Sequence, residues 1–248
     1  MTDARRALLE RLIDHAPLFP PASLPMEDAL AEDRRFRSGS DGWLVRRFVC
    51  PASKFRELGD ELVPLAIVVD VDSDRSWAGD PRVSAVELRP GVDVSAPRMQ
   101  QEVYVEIPTD DPLLAGKLAL LARSGLRAKV RCGGERVPPV DELAAFVREC
   151  RELGLAFKAT AGLHHPLRSG DRHGFLNVVA AAVFGDEEHA LVDEDAAAFA
   201  LDAAAFSWRD RSATPDELAR LRRELFSGFG SCSAQEPADE LRGLGFLP

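Results

Sequence analysis

LRAKVRCGGERVPPVDELAAFVRECRELGLAFKATAG runs from Leu126 to Gly162. Its two ends have the length and residue types of β-strands, and its middle has the apolar spacing of a helix. Pro138 and Pro139 open the helical pattern and Gly154 closes it, which is where those residues favour a helix start and stop. Strand, helix, strand in this order predicts two parallel strands joined by a right-handed crossover.

The same unit repeats on either side. Strand-like runs occur at WLVRRFVC (43–50), LAIVVDV (65–71), VSAVELRP (83–90) and EVYVEIP (102–108). PLLAGKLALLARSG (112–125) is a further helical pattern ending on glycine. The first unit is read in RLIDHAPLFPP (11–21), followed by a helix in PMEDALAEDRRF (25–36). For the last strand, AFSWRD (205–210) and LFSGFGS (225–231) compete. The second is preferred, because a helical pattern at 214–224 precedes it and EPADELRGLG (236–245) follows it. The expected fold is α/β, a single (β/α)8 barrel over residues 1–248, with irregular additions at the amino terminus and between strands seven and eight. An open doubly wound sheet is the alternative. Neither G-x-G-x-x-G nor G-x-x-x-x-G-K follows the first strand, so a nucleotide-binding sheet has little support.

Composition narrows the function. A net charge of −10 without a long basic run disfavours nucleic acid and anionic membrane surfaces as partners. No apolar run approaches the roughly 20 residues needed to span a bilayer. MTDARRALLERLID is charged and amphipathic rather than a secretory leader, so a cytoplasmic location is expected. Cys50, Cys132, Cys150 and Cys232 form no C-x-x-C pair and read as reduced thiols. No motif calls for a cofactor. The expected partner is a small anionic substrate, with homo-oligomerisation left open.

Side chains alternate faces along a strand. Lys129 and Arg131 therefore share one face, opposite Ala128 and Val130. Lys158 and Thr160 share another, opposite Phe157 and Ala159. Glu106 and Tyr104, Glu87 and Arg89, Asp70 and Arg47 fall on equivalent faces of their strands. In a half-exposed antiparallel sheet these faces would meet solvent. In a closed parallel barrel they point inward, where an unpaired charge is prohibitively costly and both signs must be matched. The carboxyl ends of barrel strands are also where this architecture does chemistry.

Lysine is scarce: the chain has four lysines among 31 basic residues. Two of the four, Lys129 and Lys158, sit on inward faces of neighbouring strands. Arginine would serve a salt bridge as well but does not give up its proton. Lysine does, and the free amine is a nucleophile toward carbonyls. A second cation nearby favours loss of that proton, whereas direct pairing with Glu87 or Glu106 opposes it.

K-V-R-C-G-G, a helix, then F-K-A-T-A-G resembles the sixth and seventh strands of the deoxyribose-phosphate aldolases, class I aldolases of barrel fold. The resemblance covers roughly residues 80–245. It implies that Lys129 forms a Schiff base with the substrate, that Lys158 tunes it, and that Glu87, or less directly Asp70, supplies the family's acidic residue. FGSCS (229–233) stands where the family holds phosphate. Arg131-Cys132-Gly133-Gly134 and Ala161-Gly162-Leu163 depart from the family's pattern. LFPPASLPM, FKATAGLHHPL and FGSCS also resemble an uncharacterised bacterial family, which implies no activity.

His164, His165 and His173 follow the seventh strand and are expected at the rim, in acid–base work, as ligands or as hydrogen-bonded loop residues. His15 is expected to reach the same rim. H-H-x7-H has no recognised ligand spacing, so no metal is expected. Ser231 and Ser233, before the last helix, are candidates for an anion site together with Arg47, Arg89 and Arg131. Tyr104, the one tyrosine, is a candidate donor to a substrate oxygen. The expected activity is an aldolase-like lyase or isomerase. Two alternatives stand beside it: a metal-dependent barrel enzyme using Asp70, Glu87, Glu106 and histidines, and a non-catalytic barrel that binds a small anion.

Overall fold

The computed structural model describes residues 3–70, 75–90 and 101–247. Eight strands close into a parallel barrel: β1 (Ile13–His15), β2 (Val45–Pro51), β3 (Leu65–Val68), β4 (Val83–Leu88), β5 (Glu102–Glu106), β6 (Arg127–Arg131), β7 (Phe157–Thr160) and β11 (Phe226–Ser231). Neighbours pair in chain order, and β11 closes on β1. Three short strands, β8 (Phe199–Leu201), β9 (Phe206–Trp208) and β10 (Arg211–Ala213), form a separate antiparallel sheet between β7 and β11. The competing segment 205–210 lies there, and the preferred one is the barrel strand.

The helices are α1 (Ala4–Leu9), α2 (Met26–Ser38), α3 (Leu114–Ser124), α4 (Val140–Leu153), α5 (Phe175–Phe184), α6 (Glu187–Val192), α7 (Pro215–Glu224) and α8 (Gln235–Gly243). Both expected additions, at the amino terminus and between the seventh and eighth barrel strands, are present: α1 packs on α7, and α5, α6 and the small sheet fill the β7–β11 connection. Gly125 and Gly154 end α3 and α4 in the left-handed conformation that glycine adopts at least cost. Thr214 and Glu217 form a capping box on α7. No described helix is long and apolar enough to cross a membrane.

Two expectations need correction. The first strand is three residues, not the span 11–21, because Pro17, Pro20 and Pro21 cannot donate to a ladder. The β2–β3 link is a 3-10 segment (Ala52–Leu58), and the described part of the β3–β4 link holds no helix. Val71, read as part of the third strand, lies outside the described residues.

The outward faces of the strands meet the helices in the main core. Phe157 packs against Phe146 of α4 and Phe226 of β11, with ring centroids 5.6 and 5.3 Å apart. Each such buried phenyl contributes about 1.5–3 kcal/mol. Inside the barrel the wall is divided. Val49, Ala66, Val68, Ala85 and Tyr104 form an apolar cluster on the β2–β5 side, and charged residues occupy the rest.

The amino end of the barrel is closed by ion pairs centred on Glu102. Its carboxylate accepts from Arg46 at 2.7 Å, Arg47 at 2.6 Å and the Tyr104 hydroxyl at 3.0 Å, and lies 3.0 Å from Arg127. Tyr104 reaches Ser227 at 2.9 Å as well. Burial works against the Glu102 charge, but Arg47, Arg46 and Arg127 outweigh it and hold the carboxyl below its usual range. Glu102→Ala would leave three guanidiniums facing one another. We expect a loss of about 2–3 kcal/mol, read as a lower urea midpoint at unchanged slope. An unmoved midpoint would show that water replaces the carboxylate.

Candidate functional site

The carboxyl ends of the strands surround a cavity of about 750 Å³. Its floor carries two lysines and two glutamates. Alternation along β6 and β7 turns Lys129 and Lys158 inward, and the two residues are direct partners in the ladder. Glu87 of β4 lies between them, 2.7 Å from the Lys158 ammonium with one oxygen and 3.2 Å from Lys129 with the other. Lys158 also donates to Asp14 of β1, and Lys129 lies 3.0 Å from Glu106 of β5. The apolar side of the cavity is formed by Val49, Val68, Phe19, Pro20 and Pro21.

Lys158, Glu87 and Asp14 are all but inaccessible to solvent. Burial opposes the charge on each, yet attraction wins. Lys158, then Arg47, hold the Asp14 carboxyl below its ordinary range, and Lys158 followed by Lys129 do the same for Glu87. Asp14 and Glu87 in turn hold the Lys158 ammonium well above the ordinary lysine value. Lys158 is therefore a fixed positive charge beneath the cavity. Lys129 shares Glu87 with it and has Glu106, on the cavity wall, as its second partner. The direct pairing that opposes a free amine at Lys129 is thus present, together with the cationic neighbour that favours one.

The remaining candidates separate by height and side. Arg89, Arg131 and His164 line the cavity. Arg47 and Tyr104 face inward but belong to the ion-paired amino end, so they do not meet the cavity. Asp70 is also outside the lining. It accepts from the Ser53 amide and hydroxyl at 2.9 and 2.5 Å. His15 is corrected more strongly. It packs behind β1 against α2, where Nδ1 meets Asp33 at 2.9 Å. His165 donates to Glu240 at 2.6 Å and accepts from Arg172 at 3.1 Å. His173 is buried and bonded to the Pro138 carbonyl at 2.8 Å. These two hold the β7–α5 loop in place rather than facing the cavity.

Ser231 and Ser233 are also absent from the lining. The Ser231 hydroxyl accepts the Ser233 amide at 3.4 Å, and the Ser233 hydroxyl accepts the Glu236 amide at 3.2 Å. The Ser233 and Glu236 amides are thus used within the turn. His164, by contrast, has Nδ1 3.3 Å from Ser231 Oγ, 3.8 Å from Cys232 Sγ and 3.5 Å from Glu236. Burial lowers its proton affinity, so it is mainly neutral near pH 7. Burial raises the Cys232 thiol and keeps it protonated.

Asp14 and Glu102 were not singled out in the sequence. An aspartate between Ile13 and His15, and a glutamate opening a β-branched run, were the available signals. The carboxylates of the alternative metal reading do not converge: Glu87 and Glu106 pair with lysines, and Asp70 with Ser53. Among the described residues, His165, Glu236 and Glu240 are the group whose ligand atoms lie within 4.8 Å of one another. His165 already uses both ring nitrogens on Glu240 and Arg172, so this group reads as a closed ion-pair set.

Above the lysines, the turns after β6 and β7 touch. A Cβ on Gly133 would come within 2.9 Å of the Gly162 Cα, a backbone contact with no flexible tip to yield. Gly133→Ala should force the turns apart at a cost of about 1–3 kcal/mol, measured as a lower melting temperature. An unchanged melting temperature would mean that the turns part freely.

Compared with family models, curated proteins and solved structures, the chain matches none. The functional reading therefore rests on the residues themselves.

Proposed function

We propose that the protein is a lyase or isomerase of class I aldolase type, in which Lys129 forms an imine with a small anionic carbonyl compound. One observation carries the reading: Lys129 opens onto the cavity between Glu87 and Glu106, beside a second lysine locked as its ammonium. A purely structural network would need neither a cavity above it nor lysine in place of arginine, in a chain that uses arginine almost everywhere else. The positions of the two lysines on the sixth and seventh barrel strands also accord with the resemblance to deoxyribose-phosphate aldolases.

The chemistry follows from the contacts. Glu106 takes a proton from the Lys129 ammonium, leaving a neutral amine and a neutral acid. The amine attacks the carbonyl carbon, and after internal proton transfer the product is a carbinolamine. Glu106 returns its proton to the carbinolamine oxygen, which departs as water and leaves a protonated imine. That cation withdraws electrons from the adjacent carbon, so a C–H or C–C bond there breaks or forms. Lys158 does not react. Asp14 and Glu87 hold it as a fixed ammonium beneath the site of the imine.

Treatment with borohydride and a small aldehyde should reduce the imine to a stable secondary amine. Intact-mass measurement should then find one adduct per chain. Aldehyde binding without any trapped mass would contradict the imine reading and leave a binding role.

A further inference from the structure

The floor of the cavity is charge-matched, with Glu87 and Glu106 facing Lys158 and Lys129. The mouth is not. Arg89, one residue past β4, and Arg131, the last residue of β6, both line the cavity. Neither has a hydrogen bond or ion pair among the described residues. Arg89 is felt by Asp70, which pairs with Ser53 instead. Most other arginines facing a carboxylate are paired with it. Among the described residues, Glu135 is the one further carboxylate in the lining, so at this level the two described guanidiniums outnumber the described carboxylates.

We infer that Arg89 and Arg131 form the oxyanion-binding subsite, on the β4–β6 side of the mouth and away from the turn at Ser231–Ser233. The inference rests on the imine reading for its geometry. Arg131 stands two residues beyond Lys129 on the same strand face, about 7 Å along the strand. Arg89 stands in the same relation to Glu87. An oxyanion held by the guanidiniums at about 2.8 Å, with its carbonyl carbon bonded to Lys129, leaves roughly two to four bonds between carbonyl and anionic centre. The substrate class is thus a short carbonyl compound ending in a phosphate or carboxylate. The cavity of about 750 Å³ exceeds one such molecule, leaving space beside the apolar wall for a second carbonyl component or a leaving fragment.

The test uses the full chain and two readouts. Calorimetry with inorganic phosphate, and separately with acetate, distinguishes the two oxyanions. Arg89→Gln and Arg131→Gln should each weaken binding of the preferred one by about tenfold or more, and Ser233→Ala should not. Borohydride trapping then compares succinic semialdehyde with butanal, which has the same chain length and no charge. The arginine variants should lose the preference for the charged aldehyde and trap butanal as before. Undetectable binding of both anions, binding unmoved by both arginine substitutions, or binding lost with Ser233→Ala would overturn the subsite. Anion binding that depends on the arginines, with no trapping of either aldehyde, would keep the subsite and remove the imine reading.

Discussion

Lys158→Met should cost about 3–5 kcal/mol at neutral pH, because it leaves Asp14 buried without its ammonium and Glu87 with Lys129 alone. The loss should also depend on pH in a defined sense. Asp14 and Glu87 have depressed values in the fold, so their stabilisation is complete above the unfolded carboxylate range of about 4 and is lost as pH falls through the folded values. Lys158 has a raised value. Its contribution is complete below the unfolded value of about 10.4 and is lost as pH rises through the folded one. Without Lys158, only Arg47 and Arg46 offset the burial of Asp14, which then accepts a proton at higher pH than in the native chain. The difference between the native chain and the variant should therefore narrow between neutrality and about pH 3. Urea unfolding at both pH values measures it. An equal difference at both would mean that the cost lies in lost packing rather than in stranded charge.

The second large effect belongs to the cavity wall. Glu106→Gln retains the size of the side chain but cannot take the Lys129 proton. Exchange of α-protons of a small ketone into deuterated water reports imine and enamine formation, and it should fall by about 10²-fold in this variant. Lys129→Arg should bring exchange to the uncatalysed rate, since a guanidinium forms no imine under these conditions. Lys158→Arg preserves a positive charge and should retain part of it. Equal exchange in Glu106→Gln and the native chain would assign the proton transfer to Glu87 or to water.

Strand parity was readable because single charges stand between small apolar residues, as Lys129 does between Ala128 and Val130. Parity tells which side chains face inward; it does not tell how high along the barrel they sit. That height depends on the stagger between strands. Arg47 and Tyr104 are inward as expected, yet the stagger sets them at the amino end with Glu102, below the cavity. Asp14 escaped notice because a strand of three residues gives no alternation to read. The sequence left the roles of the loop histidines open for another reason. They lie in a loop without periodicity, and nothing local tells that His173 turns toward the Pro138 carbonyl or His165 toward Glu240.

The reactive amine is best tested by locating the trapped group. The chain offers four lysines, Lys54, Lys117, Lys129 and Lys158. Lys54 and Lys117 lie outside the barrel strands. After reduction in the presence of succinic semialdehyde, peptide mapping by mass spectrometry should find the adduct on Lys129, with Lys158 unmodified because its ammonium is held by Asp14 and Glu87. An adduct confined to Lys54 and Lys117, or one on Lys158 in place of Lys129, would contradict the assignment of Lys129 as the imine-forming residue.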